Sequence, residues 1–200
     1  MAITAVPITQ VKTLGANTGP QVANPPEDAA ETFKAGTVVA LNGSGNLIAW
    51  AGANPGGAAA IAGISIVAGS NLSVAATAQT LTFGSVPNQS SAVNIPVGAP
   101  PNDGHCEIYT GSPNNVFQGT FGNNGNTATP AASDVGVHYG LSIDSGSNYW
   151  YVDKNKTTVG TNTAVQVVGV YPDPNQGGAA FSTKTQVQFV FEDAVVQAVV

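Results

Sequence analysis

Val135-Gly136-Val137-His138-Tyr139-Gly140-Leu141-Ser142-Ile143-Asp144 alternates strictly between apolar and polar or small residues. Successive side chains on a strand point to opposite faces, so this run presents one apolar and one polar face, as a half-buried strand does. Asp144-Ser145-Gly146-Ser147-Asn148 follows as a cluster of turn formers, and Tyr149-Trp150-Tyr151-Val152 has the aromatic and β-branched content of a second strand. The two predict a β-hairpin. After a polar break at Asp153 to Asn162, Val165-Gln166-Val167-Val168-Gly169-Val170-Tyr171 predicts a third strand, and the three together a meander.

The same reading extends upstream. Gly36 to Leu41 and Asn46 to Trp50 flank Asn42-Gly43-Ser44-Gly45, a loop tolerant of positive φ, and predict a hairpin. Ile61 to Val67 reads as another strand, because Gly63 within it and Gly56-Gly57 before it disfavour a helix. Short strands are expected at Leu72 to Ala76, Leu81 to Val86, Glu107 to Thr110 and Val116 to Phe121, with an edge segment at Val93 to Val97, where Pro96 cannot donate to a ladder. Gly122 to Asn126 is expected to be a long polar loop, and Thr183 to Glu192 a closing strand after the break at Pro172 to Gly178. The apolar end, Ala194 to Val200, is expected to pair into the sheet or to dock on another subunit.

Composition agrees with an all-β chain. Of 200 residues, 8% are charged and 42% apolar, against roughly 25% charged in an ordinary soluble domain. Ser, Thr, Asn, Gln and Gly fill the deficit, as in a folded, turn-rich protein. The five basic residues, Lys12, Lys34, Lys154, Lys156 and Lys184, are scattered through a chain of net charge −6, whereas a nucleic-acid surface needs clustered cations. No apolar run reaches the roughly 18 residues that cross a bilayer as a helix, and Met1 to Pro7 lacks the cationic start of a secretion signal. Neither a nucleic-acid nor a membrane partner is expected, and the single cysteine, Cys106, suits manufacture in a cytoplasm.

Residues 1–31 carry four prolines and no sustained period, so the expectation is a segment extended or disordered until something holds it, either a frayed terminus or an extended arm that orders on a partner with Ile3, Val6, Ile8, Val11 and Leu14 as its anchors. A weak helix over Pro26 to Phe33 is conceivable from its proline and acids. Ala99-Pro100-Pro101-Asn102-Asp103-Gly104 is the strongest internal punctuation. The organisation predicted is therefore an arm over 1–31, a β lobe over 32–98 and a second β lobe over 99–200, the lobes being antiparallel barrels or sandwiches.

Chemistry is sparse. His105 and Glu107 can share a face of a strand, but Cys106 points away from them and no second ligand cluster accompanies them. Gly63-Ile64-Ser65-Ile66-Val67 has valine where a nucleophile elbow needs glycine. The Gly122 to Gly125 segment lacks the Lys-Ser or Lys-Thr of a phosphate loop, and Asp144, Gly146 and Asn148 fit an ordinary turn better than a calcium loop. No catalytic, cofactor or metal residue is assigned, and an enzyme is not expected.

Phe33-Lys34-Ala35-Gly36-Thr37-Val38-Val39-Ala40-Leu41, a Gly/Ser turn, Leu47-Ile48-Ala49-Trp50 and Ile61-Ala62-Gly63-Ile64-Ser65 follow one another in an order that resembles the opening of tailed-bacteriophage capsid decoration, or cement, proteins. Val137 to Leu141, Tyr149 to Asp153 and Val165 to Val170 are similar to their later half. The resemblance implies a homotrimeric virion protein on the outer capsid surface that cross-links neighbouring major capsid proteins, assembled after synthesis in the host bacterium. The competing expectation is a carbohydrate- or receptor-binding β module in which Tyr149, Trp150 and Tyr151, if exposed, form a stacking platform, although alternation puts Trp150 opposite the two tyrosines and one of the two faces in the core.

Overall fold

A computed structural model describes residues 2–14, 19–28, 31–52, 60–69, 79–81, 93–95, 105–158, 162–170, 186–193 and 196. Its strands are β1 (Thr9–Thr13), β2 (Val22–Ala23), β3 (Val38–Leu41), β4 (Leu47–Ala49), β5 (Ile61–Ser65), β6 (Gln79–Leu81), β7 (Val93–Ile95), β8 (Ile108–Thr110), β9 (Asn115–Asn123), β10 (Asn126–Thr127), β11 (His138–Ile143), β12 (Trp150–Asp153), β13 (Val165–Val170) and β14 (Gln186–Phe191). The protein is all-β. Helical structure among the described residues is limited to a 3-10 turn at Ala132–Asp134 and 3-10 geometry at Asp193, and the strand-like bridges of Pro26 to His105 and Glu27 to Leu47 stand where a weak helix was conceivable.

Five strands close into a barrel in the order β9, β12, β11, β13, β14 and back to β9. Neighbours are antiparallel except β12 and β9, which run parallel through Val152↔Phe121 and Asp153↔Gly122. The predicted β11–β12 hairpin is present, with Leu141 opposite Val152 and Ile143 opposite Trp150. The meander is not. β13 pairs with β11, through His138↔Gln166 and Tyr139↔Val165, because the far side of β12 is occupied by β9.

The second sheet has the order β2-β8-β5-β3-β4. It contains the predicted hairpin, with Val39 opposite Ala49 and Leu41 opposite Leu47, turned by Asn42, whose Oδ1 accepts from the Ser44 and Asn46 amides. β8 lies so close to β5 that a Cβ on Gly63 would stand 1.9 Å from the Tyr109 carbonyl oxygen, which explains a glycine inside a buried strand. β6 and β7 form a separate two-stranded sheet. The strand expected at Leu72 to Ala76, the punctuation at Ala99 to Gly104 and the break at Pro172 to Gly178 lie outside the described residues.

One core joins barrel and second sheet. Val38, Ala40, Trp50, Ile61 and Ile64 pack with Phe117, Phe121, Tyr139, Leu141, Trp150 and the Phe189–Phe191 pair. The other face of the second sheet buries Phe33, Val39, Leu41, Leu47, Cys106 and Ile108. Sheet membership therefore cuts across the expected division at 31 and 98: β2 comes from the expected arm, β8 from the expected second lobe, and both complete a sheet whose centre is residues 38–65.

Gly122 to Asn126 is a tight hairpin turn and no long loop. Asn123 faces Asn126 across a two-residue connection in which Asn124 and Gly125 take φ of 48° and 78°, the backbone that Asn-Gly favours. That dipeptide was the available signal.

Candidate interaction surface

The N-terminal segment is laid along the protein's own body. β1 pairs antiparallel with β9, with a bulge between Gln10 and Lys12, and β2 pairs with β8, so one run of chain borders both sheets. The five expected anchors separate by which way they point. Ile3 and Ile8 are buried at 6% and 2% exposure, while Val6, Val11 and Leu14 stay at 38%, 39% and 44%. Ile3 and Ile8 thus anchor the segment to this chain, which leaves Val6, Val11 and Leu14 exposed, as is Val22 on β2.

Two glycines of β9 make the inward seats. A Cβ on Gly119 would approach Ile8 Cγ1 at 3.3 Å, and one on Gly122 would stand 2.4 Å from Ile3 Cδ1 and 2.8 Å from the Tyr151 ring. Hydrogen bonds fix the same residues. Ile3 N–H donates to the Gly125 carbonyl, Ala5 N–H to Asp144 Oδ2, Val6 N–H to Thr120 Oγ1 and Ile8 N–H to the Gly36 carbonyl. Further along, buried Asn115 accepts from the Gln21 N–H and donates to the Gln21 and Thr110 carbonyls. Asn115 lies one residue before the apolar pattern of β9, so periodicity alone could not single it out.

Three buried carboxylates, Asp144, Asp134 and Asp153, are held by donors of the fold itself. Asp144 accepts from the Ala5, Gly146 and Ser147 amides and from the Ser147 hydroxyl. The Ser147 hydroxyl is the main reason that its carboxyl sits below the ordinary value, the amides adding to it and burial opposing. These amides and the hydroxyl all donate to the carboxylate, as the residues of an Asx-type turn do. Asp134 accepts from Tyr139 Oη, the Ala131 amide and Lys154 Nζ; burial pushes its carboxyl up, but these donors outweigh burial and the net shift is downward. Asp153 accepts from the Asn124 and Asn155 amides and from the Ser142 hydroxyl.

His105 and Glu107 are exposed and Cys106 is buried between them; burial, with Glu27 and Glu107 adding to it, pushes the thiol up to about 12, far from a thiolate nucleophile. His138 Nδ1 lies 2.9 Å from Glu192 Oε1. Among the described residues no three His, Cys, Asp or Glu side chains stand together as a metal cluster would require.

Tyr149, Trp150 and Tyr151 do not form an exposed row. Trp150 and Tyr151 are 5% and 3% exposed, and Trp150 packs on Trp50 with ring centroids 4.6 Å apart. A depression of about 390 Å³ is lined by both indoles together with Phe33, Lys34, Ile143 and Asn148. Comparison of the chain with protein families, curated proteins and solved structures returns no match.

Proposed function

We propose that the protein is a structural component of a tailed-phage virion that decorates the outer capsid surface and staples neighbouring major capsid proteins, itself as a homotrimer. The observation that carries the reading is the exposure of Val6, Val11, Leu14 and Val22 on the N-terminal segment that carries both border strands, β1 and β2. Among the described residues no strand pairs with the outer side of β1 or β2, so backbone donors and acceptors lie beside apolar side chains. That combination suits addition of a strand from a partner.

The body behind this border supports the same reading. One core braces both sheets, and buried Asp144, Asp134 and Asp153 tie the chain together through amides, hydroxyls and the Lys154 ammonium. A non-covalent clamp works by adding contacts that must break together, which calls for a rigid body and an edge that can pair. Co-sedimentation with expanded, empty phage heads tests the proposal. Wild type is expected to pellet with heads, and the pair Val11→Asp and Leu14→Asp to abolish pelleting without a change in thermal stability; wild type that stays in the supernatant contradicts it.

A further inference from the structure

Ile8 belongs to the main core with Phe117, Phe189 and their neighbours, whereas Ile3 and Ala5 form a small cluster of their own with Tyr151 and Tyr149. Between the two clusters lies Pro7, which packs against Gly36 and has no N–H to add to a ladder. Residues 2–6 are therefore attached differently from everything that follows. β1 is held in a continuous ladder on β9. Residues 2–6 are held by the single bridge of Ala2 to Asn126, by the Ile3, Ala5 and Val6 amides on three separate acceptors, and by two side chains.

We propose that residues 2–6 form a strap, latched by the Asp144 carboxylate on the Ala5 N–H, that opens as a unit about Pro7 while the barrel and second sheet stay closed. Asp144 is the ionised member of the three acceptors, and hydrogen bonds to a charged acceptor are the strong ones. Its loop is built to hold the carboxylate in place: Oδ1 accepts from Gly146 and Oδ2 from Ser147, so only one bond of the set reaches the strap. Opening leaves the main core intact, as a local unit of low stability should.

The strap also has a cover's position. Ile3 and Ala5 lie over the Tyr151 ring, with Tyr149 at the edge of the same cluster, and Lys34 Nζ stands 5.2 Å from the Tyr149 ring centroid while donating to the Ser147 carbonyl. Closed, the strap covers Tyr151 on β12 and reaches Tyr149 just ahead of that strand. Open, it bares these tyrosines together with its own apolar side. The proposal is independent of any role on a capsid.

Amide hydrogen exchange on the full chain tests it. In wild type, Ile3, Ala5 and Val6 are expected to exchange faster than Ile8, Phe117 and Phe189. Asp144→Asn should raise exchange at Ile3 and Val6 about tenfold or more, with Phe117 and Phe189 unchanged. Ala5→Pro deletes the donor and spares the Asp144 loop, so it should raise exchange at the same two amides. Equal protection of Ile3, Ala5 and Val6 with Phe117 and Phe189 in wild type overturns the proposal, as does an increase in Ala5→Pro that spreads equally to Phe117.

Discussion

The side chain of Asn115 pairs with the backbone of Gln21 as a peptide group would, Oδ1 accepting from the Gln21 N–H at 3.2 Å and Nδ2 donating to its carbonyl at 3.1 Å. Nδ2 also donates to the Thr110 carbonyl at 2.9 Å, and the residue has no solvent exposure. It thus continues the ladder at the point where the border strand passes from β9 to β8. Asn115→Leu removes the pairing and leaves the Gln21 groups without it, a loss of about 2 kcal/mol. Urea denaturation should show that loss, and a midpoint equal to wild type would remove Asn115 from this role.

Two carboxyls set the acid side of the stability profile. Asp144 and Asp134 both sit below the ordinary value of 3.8 in the folded protein. A depressed native pKa contributes stability that is fully present above the unfolded value and is lost as pH falls through the native one. Unfolding free energy is therefore expected to hold steady near neutrality and to decline below about pH 4. Asp134→Asn, which takes the charged acceptor from Lys154 and Tyr139, should lower stability at pH 7 and flatten the acid decline; an unchanged slope would assign the decline elsewhere.

The seat of Ile3 is testable by filling it. Gly122→Ala places a methyl 2.4 Å from Ile3 Cδ1 and against Tyr151, so the strap should lift and residues 2–6 become sensitive to protease. Ile3→Ala, which removes the clashing methyls, should recover part of the stability lost in Gly122→Ala, since residues in contact couple by about 0.5–3 kcal/mol. Strict additivity of the two substitutions would place Ile3 elsewhere.

Cys106 makes a simple probe of the second core. It is 1% exposed with its thiol raised to about 12, so a thiol reagent at neutral pH should label it only as the protein unfolds. Fast labelling of native protein would contradict the packing of Phe33, Leu47 and Ile108 around it.

The hairpins were legible because their cues are local. Tyr139 and Leu141 are buried as alternation requires, while Val135 and Ile143, at the ends of the run, reach the surface at 45% and 51% exposure. Across-barrel partners were not legible. Nothing in Val165 to Val170 states that its neighbour is β11, since that follows from the parallel docking of β9 on β12. The candidate surface was half legible. The apolar residues of the N-terminal segment were visible, but which of them turn inward is decided by Gly119 and Gly122, more than a hundred residues away.

The most direct test of the account is electron microscopy of expanded phage heads with and without the protein. Added density on the outer shell, with residues 6–22 at the contact, is the predicted result. Bare heads at saturating protein would contradict it, and so would density that meets the shell through a face remote from Val6, Val11, Leu14 and Val22.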